Sequence, residues 1–407
     1  MFINDTSKVS AAPHTGQQYR FAPLSHLAID DQRRSSCRLP GRIAMFPVMK
    51  KQRSNTYRLW KAAALVLAIA AVSGCALMRT ATYYADMYRA HRAGVRFRRT
   101  YEHLQADVPF SSHSDVTLDV YGQSDGTGYP VLIFVHGGGW NSYDKELFTP
   151  VAMQLLPQKM VVVIPGYTLY PDATYQQMAR EVADATAWVL RNIDAYGGDP
   201  ERVYLSGHSA GAHLSGLVSY DPTWLADTGH STDEIRGWIG LSGVYDTARH
   251  AARRQSLGLQ SPIMTAVMQG PEGYAAASPE IHAVLGAGPP AWLIHGDEDD
   301  TVPLAESERM SSTLRRAGVQ AELIVYPGAG HSDFLFGALR DDEARVIVDI
   351  GRIVRESGGS PAAPHGSVSQ VDTTDRRIRV SHYGNARGYS SSVEESEENV
   401  DDLSTDY

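Results

Sequence analysis

The chain has 407 residues, 43% of them hydrophobic and 20% charged, which is the composition of an ordinary globular protein with material for one sizeable core. A formal net charge of -9 offers no basic face for a phosphate backbone, so no nucleic-acid partner is expected. The two cysteines, Cys37 and Cys75, make neither a disulfide framework nor a metal-ligand spacing.

Residues 1–48 are rich in Ser, Arg, Pro and Gln without sustained periodicity, and read as a disordered or untranslated leader. The chain changes character at Met49. Lys50, Lys51, Arg53, Arg58 and Lys61 carry positive charge with no acid among them, and the apolar run Ala62 to Val72 follows. That order, cations then a short apolar stretch then small residues, is the order of a signal peptide. The run ends in Val72-Ser73-Gly74-Cys75, which resembles the lipobox of bacterial lipoproteins, where the cysteine receives lipid and becomes the first residue. The alternative is an uncleaved anchor helix. From Ala62 to Met78 the apolar stretch is 17 residues, at the short limit for a bilayer core of about 30 Å. Arg79, Arg89, Arg92, Arg96, Arg98 and Arg99 also put cations on its far side, so charge does not orient it. Residues 49–78 are therefore assigned as a signal peptide with lipidation at Cys75, or as a membrane anchor. The lipobox is favoured because the cysteine falls where the apolar run ends. A lipoprotein would sit on a bacterial membrane outside the cytoplasm; an anchor helix would place the chain on a eukaryotic membrane.

Residues 79–108 read as a basic, Tyr-rich helical stem. A domain over 109–356 follows. Val116, Leu118 and Val120 alternate with Thr117 and Asp119, as in a half-buried strand. Val131 to Val135 is a continuous apolar run, the mark of a strand covered on both faces. Runs of that kind recur at Val161 to Ile164, Val203 to Leu205, Trp238 to Leu241, Trp292 to Ile294 and Leu323 to Val325. Helical patterns lie between them at Gln176 to Asn192, Ala210 to Tyr220, Ala305 to Ala317 and Glu343 to Arg355. Buried strands alternating with helices predict an α/β fold with a mainly parallel, doubly wound sheet. Residues 247–290 break the rhythm and are expected to form a small cap or pocket wall. Residues 357–407 turn Ser/Gly/Pro-rich and then acidic, as a disordered tail does.

Two glycine-rich segments carry the chemistry. Gly207-His208-Ser209-Ala210-Gly211 directly follows the strand Val203 to Leu205 and directly precedes a helical pattern. This strand–turn–helix setting is what a nucleophilic serine on a tight elbow requires, with small residues two before and two after it. The helix that follows points its positive end at the site. His136-Gly137-Gly138-Gly139-Trp140 directly follows the strand Val131 to Val135. Attack on an ester carbonyl builds negative charge on its oxygen, which backbone N–H groups must approach closely. Gly138, Gly139 and Ala210 are the candidate donors of that oxyanion hole. A phosphate-binding loop is the rival, but neither GxGxxG nor a GKS/GKT ending is present.

These motifs carry a resemblance. HGGGW followed by GHSAGAH resembles the hormone-sensitive-lipase-like branch of the α/β hydrolases, and YGGDPERVYLSGHSAGAHLSG is similar to isoprenylcysteine methylesterases and, more distantly, to kynurenine formamidases. The likeness covers roughly residues 115 to 355 and four motifs in family order. Where relatives commonly carry Tyr-Arg after the third strand, this chain has Tyr167-Thr168. In this fold the acid and the histidine follow the serine along the chain. His331, in Gly328-Ala329-Gly330-His331-Ser332, is the expected base, while His136, His208 and His295 are expected to pack and orient loops. His295-Gly296-Asp297-Glu298-Asp299-Asp300-Thr301-Val302-Pro303 resembles the family pattern HGxxDxxVP, which sets the acid on Asp299, with Asp297 and Asp300 as competitors. Asp246 is expected to serve a turn or cap.

The expectation is thus an α/β-hydrolase fold carrying a Ser209–His331–Asp299 triad that needs no metal or organic cofactor. The resemblance implies a serine carboxylesterase for small carboxylic esters, a prenylcysteine methyl ester among them. An amidase of the kynurenine formamidase kind would use the same triad, and a non-catalytic binding module would ordinarily have lost one of its members.

Overall fold

The computed structural model describes residues 82–123, 125–336 and 345–357. The leader, the segment ending in Cys75 and the acidic tail beyond Ser357 lie outside the described residues. In chain order the elements are α1 (residues 82–100), β1 (Leu104–Pro109), β2 (Thr117–Tyr121), β3 (Tyr129–Val135), α2 (Thr149–Leu155), β4 (Val161–Pro165), α3 (Tyr175–Asn192), β5 (Gly198–His208), α4 (Ala210–Tyr220) and α5 (Thr223–Ala226). They continue with β6 (Ile235–Leu241), α6 (Thr247–Ser256), α7 (Pro262–Val267), α8 (Pro279–Ala283), β7 (Ala291–Gly296), α9 (Ala305–Arg316), β8 (Ala321–Tyr326), α10 (Asp333–Phe336) and α11 (Arg345–Ser357).

One eight-stranded sheet, in the order β1-β2-β4-β3-β5-β6-β7-β8, organises the domain. β1, β2 and β4 pair antiparallel and every pair from β4–β3 onward is parallel. The continuous apolar runs explain this architecture. Val131, Ile133 and Val135 of β3 face one buried cluster, with Met178 and Val182 of α3, Leu214 of α4 and Leu314 of α9. Leu132 and Phe134 face the other, with Ala90 of α1, Val151 of α2 and Ile350 of α11. Helices therefore cover both faces of the sheet, and a strand buried on both sides has no reason to alternate.

Two departures from the sequence reading matter. Residues 104–109 belong to an edge strand rather than to a helical stem. Leu104–Pro109 carries no apolar alternation and is mostly exposed, so nothing in its pattern marks a strand. Its register shifts between Gln105 and Val108, at Asp107 with φ of 56°. The helix before it is docked on the domain. Ala90 is fully buried, the Tyr101 hydroxyl donates to the Gly122 carbonyl at 2.6 Å, and Arg98 pairs with the buried Asp119. Lys145 Nζ completes that cluster, 2.8 Å from Asp119 and 2.5 Å from Asp107. The Arg98 charge is therefore engaged inside the domain. Among the described residues no helix is long and apolar enough to cross a membrane.

Candidate active site

The loops that leave the C-terminal ends of four parallel strands converge, as ligand sites in open α/β sheets do. β5 runs straight into Ser209, which sits between strand and helix with φ of 54° and ψ of -117°. A non-glycine residue held there is strained, and the surroundings fix it. The elbow leaves no room on either side. A Cβ on Gly207 would run into the backbone of Gly211, and one on Gly211 into the carbonyls of Val135 and His136. The Ser209 N–H donates to the Leu241 carbonyl at 2.8 Å, tying the turn to β6.

His331, in the loop after β8, accepts from or donates to Ser209 Oγ through Nε2 at 2.9 Å. Its Nδ1 lies 2.7 Å from Asp299 Oδ2. Asp299, after β7, is saturated. Oδ1 accepts the N–H groups of Thr301 at 3.0 Å and Val302 at 2.8 Å, and His295 Nε2 approaches Oδ2 at 3.2 Å. Burial alone would raise its pKa, but hydrogen bonds from His295 and His331 and the nearby His331 charge hold it well below the usual carboxylate range. The Asp299 carboxylate fixes Nδ1 of His331 as the protonated nitrogen, which leaves Nε2 free to take the hydroxyl proton. The competing acids go elsewhere. Asp297 accepts the Gly328 N–H at 2.6 Å, and Asp300 accepts the Thr301 hydroxyl at 3.3 Å.

A cavity of about 480 Å³ opens on Ser209 and His331, with Gly138 and Gly139 in its wall. Both glycines have positive φ, 127° and 59°, and a side chain on Gly138 would collide with the Ser142 carbonyl. Ala210 opens α4, where the first N–H groups have no acceptor within the helix. Backbone donors from two loops thus flank the serine, a disposition suited to a developing oxyanion. Among the described residues no group of three or more His, Cys, Asp or Glu side chains is arranged to hold a metal ion.

Residues 118–314 match the family model BD-FAE. The chain is 32% identical over 250 residues to the isoprenylcysteine alpha-carbonyl methylesterase of Arabidopsis thaliana, covering 58% of each chain. It is 31% identical over 257 residues to the esterase LipQ of Mycobacterium tuberculosis, covering 60% of each. The chain thus spans less than two thirds of the length of these curated relatives. Among solved structures, an esterase of Pyrobaculum calidifontis superposes with a TM-score of 0.54 at 20% identity, over 67% of this chain and 93% of that one. Esterase 2 of Thermogutta terrifontis does so with a TM-score of 0.51 at 23% identity, over 64% and 96%. The folded domain has the α/β-hydrolase fold.

The histidines and aromatic residues around the triad have definite geometry. His208 Nε2 donates to the His331 carbonyl at 2.8 Å and the two rings lie 4.8 Å apart, tilted by 47°, so the strand that delivers the serine also props the histidine loop. His136 stacks on Tyr167 at 4.3 Å, and the Tyr167 hydroxyl donates to the His136 carbonyl at 3.1 Å. Trp140 Nε1 donates to His213 Nδ1 at 3.2 Å, and His213 Nε2 donates to the Ala277 carbonyl at 2.7 Å. The last residue of HGGGW and the last of GHSAGAH are therefore hydrogen-bonded to each other, a pairing that the motifs contain but do not announce. His295 is held by Ser307 Oγ at 2.7 Å and the Val302 carbonyl at 2.9 Å. Thr168 donates its N–H and hydroxyl to the buried Glu181 at 2.6 and 2.7 Å.

The expected wall at 247–290 is absent from the cavity. That stretch forms α6, α7 and α8, of which α8 packs against α4 and α9, and Asp246 caps α6 by accepting the Arg249 N–H at 2.9 Å. Among the described residues none of 247–290 lines the cavity at Ser209. Its outer wall comes from Tyr83 and Tyr84 of α1, Ser142 and Tyr143 of the loop after HGGGW, and Phe336 of α10.

Proposed function

We propose that this protein is a serine carboxylesterase that hydrolyses small carboxylic esters through an acyl-enzyme on Ser209. The observation that carries the proposal is the unbroken chain Asp299 Oδ2–His331 Nδ1 at 2.7 Å and His331 Nε2–Ser209 Oγ at 2.9 Å beside the cavity. In this reading His331 takes the Ser209 proton as Oγ attacks the ester carbonyl. The N–H groups of Gly138, Gly139 and Ala210 meet the oxygen that becomes negative. The carbon–oxygen bond to the alcohol then breaks, and His331 returns its proton to the departing alcohol. Water, deprotonated by His331, attacks the acyl carbon; the acid is released and the proton goes back to Ser209. Asp299 stays ionised and holds the imidazole in place throughout. A carboxyl methyl ester of a prenylated cysteine is one candidate substrate, supported by the similarity to the Arabidopsis relative.

A fluorophosphonate probe should label the wild-type chain, and Ser209→Ala should lose both labelling and p-nitrophenyl butyrate hydrolysis, the latter by about a million-fold. A labelled Ser209→Ala protein would remove the assignment. Faster turnover of N-formylkynurenine than of aryl esters would turn the reading to an amidase, and an unlabelled, inactive wild-type chain would turn it to a binding module.

For location, the order of features from Met49 to Cys75 supports a lipoprotein that carries lipid on Cys75 and works on a membrane outside the cytoplasm. Two or more acyl chains would hold it there stably. Intact mass of the wild-type and Cys75→Ser proteins decides. A wild-type mass that includes residues 49–74 and no lipid refutes it and favours an anchor helix.

A further inference from the structure

The cavity wall has an unusual source. The family model matches residues 118–314, yet two of the aromatic side chains over Ser209 come from α1, before that stretch begins. Tyr83 is half-buried and packs edge-on against Phe336 at 6.2 Å. It lines the cavity together with Tyr143, just beyond Gly138 and Gly139, and Ser332, which follows His331 in the chain. Tyr84 leans edge-on against Tyr83 at 5.4 Å and lines the mouth with 56% of its surface exposed.

The start of α1 is held where it is by the remainder of the helix. Ala90 is fully buried, a side chain on Gly94 would press on Thr149 of α2, and Arg98 pairs with Asp119. The tyrosines are therefore presented by a docked element, and their position relative to Ser209 is fixed.

We propose that α1 is the specificity wall of the site: Tyr84 contacts the apolar group of the ester, and the Tyr83 ring, packed on Phe336, backs it. This rests on the cavity being the ester site. An ester with a long acyl chain gains burial against the Tyr84 ring, whereas an acetyl group has little apolar surface to bury there.

The test measures kcat and KM of the full chain on p-nitrophenyl acetate and p-nitrophenyl octanoate. Tyr84→Ala should lower the octanoate-to-acetate ratio of kcat/KM by about tenfold. Tyr88→Ala is the control, because Tyr88 lies one turn further along α1, is 60% exposed and does not line the cavity. It should leave both rates as they are. A ratio that holds or rises in Tyr84→Ala overturns the proposal, as does a Tyr88→Ala protein that shifts it equally. A wild-type chain that hydrolyses neither ester and takes no fluorophosphonate overturns the esterase reading, and this one with it.

Discussion

Three histidines of the folded domain are buried and neutral, which makes its stability sensitive to mild acid. Burial lowers the pKa of His136 to about 4, of His208 to about 3 and of His213 to about 4. For His213 the geometry gives a second reason: Nδ1 already accepts the Trp140 N–H, so a proton there would face another donor. An imidazole in the unfolded chain titrates near 6.5. Between about pH 6.5 and 4 the unfolded chain therefore binds protons at these positions and the folded one does not. The stabilisation is full above pH 6.5 and is lost as pH falls toward 4. From pH 7 to 5.5 the loss is about 1.2 kcal/mol per histidine, or about 4 kcal/mol for three, against a total stability of order 5–15 kcal/mol. Asp299, whose pKa is depressed, adds nothing in this window, because its contribution is lost only below the ordinary carboxylate range. Urea unfolding followed by circular dichroism at the two pH values measures the difference. His213→Gln should shrink it by about one third. A midpoint that is unchanged or higher at pH 5.5 refutes the reasoning.

Asp299→Asn should cut kcat on p-nitrophenyl butyrate by about ten-thousand-fold, while Asp297→Asn and Asp300→Asn stay within about threefold, because only Asp299 reaches His331. If either neighbour is the crippled variant, the acid is misassigned. Gly211→Ala should destabilise the fold by more than about 3 kcal/mol or prevent folding, since its Cβ would overlap the Val135 carbonyl; soluble, active Gly211→Ala enzyme would show that the elbow can open. Trp140→Phe should cost about 1–3 kcal/mol in thermal or urea unfolding, because it leaves His213 Nδ1 buried without its donor. A Trp140→Phe protein as stable as wild type would mean that the indole–imidazole bond is replaced in solution.

What the sequence disclosed depended on how local each signal is. β3 to β8 were legible because each carries a continuous apolar run between helical patterns, and apart from β5, which begins five residues earlier at Gly198, their observed spans extend the runs by no more than three residues at either end. Ser209 directly follows its strand, so position along the chain located it; Asp297, Asp299 and Asp300 all follow β7 closely, and only the resemblance to HGxxDxxVP singled out Asp299. His331 was legible by position too, at the end of β8. β1 was not, because an exposed edge strand with a register shift has no pattern to betray it. The irregularity of residues 247–290 suggests a cap or pocket wall, but irregularity does not say which surface a segment covers. Tyr83 and Tyr84 have no local signal of any kind. Their role arises from a cavity wall shared with Tyr143, Ser332 and Phe336, which only the fold brings beside them.

The same contrast runs through the site itself. At its base every atom is determined. Gly207 and Gly211 admit no side chain, Asp299 accepts on both oxygens, and Trp140, His213 and Ala277 form a closed relay behind the glycine loop. Such a constellation tolerates few substitutions, since each would leave a buried polar group unpaired or force backbone apart. Its residues must therefore recur in recognisable order wherever the chemistry is kept. At the mouth, Tyr84 and Tyr143 are partly exposed. Substitution there changes which ester is held with little cost to the fold. A motif can consequently reveal a triad while remaining silent about its substrate, because the residues that select the substrate are those the fold constrains least.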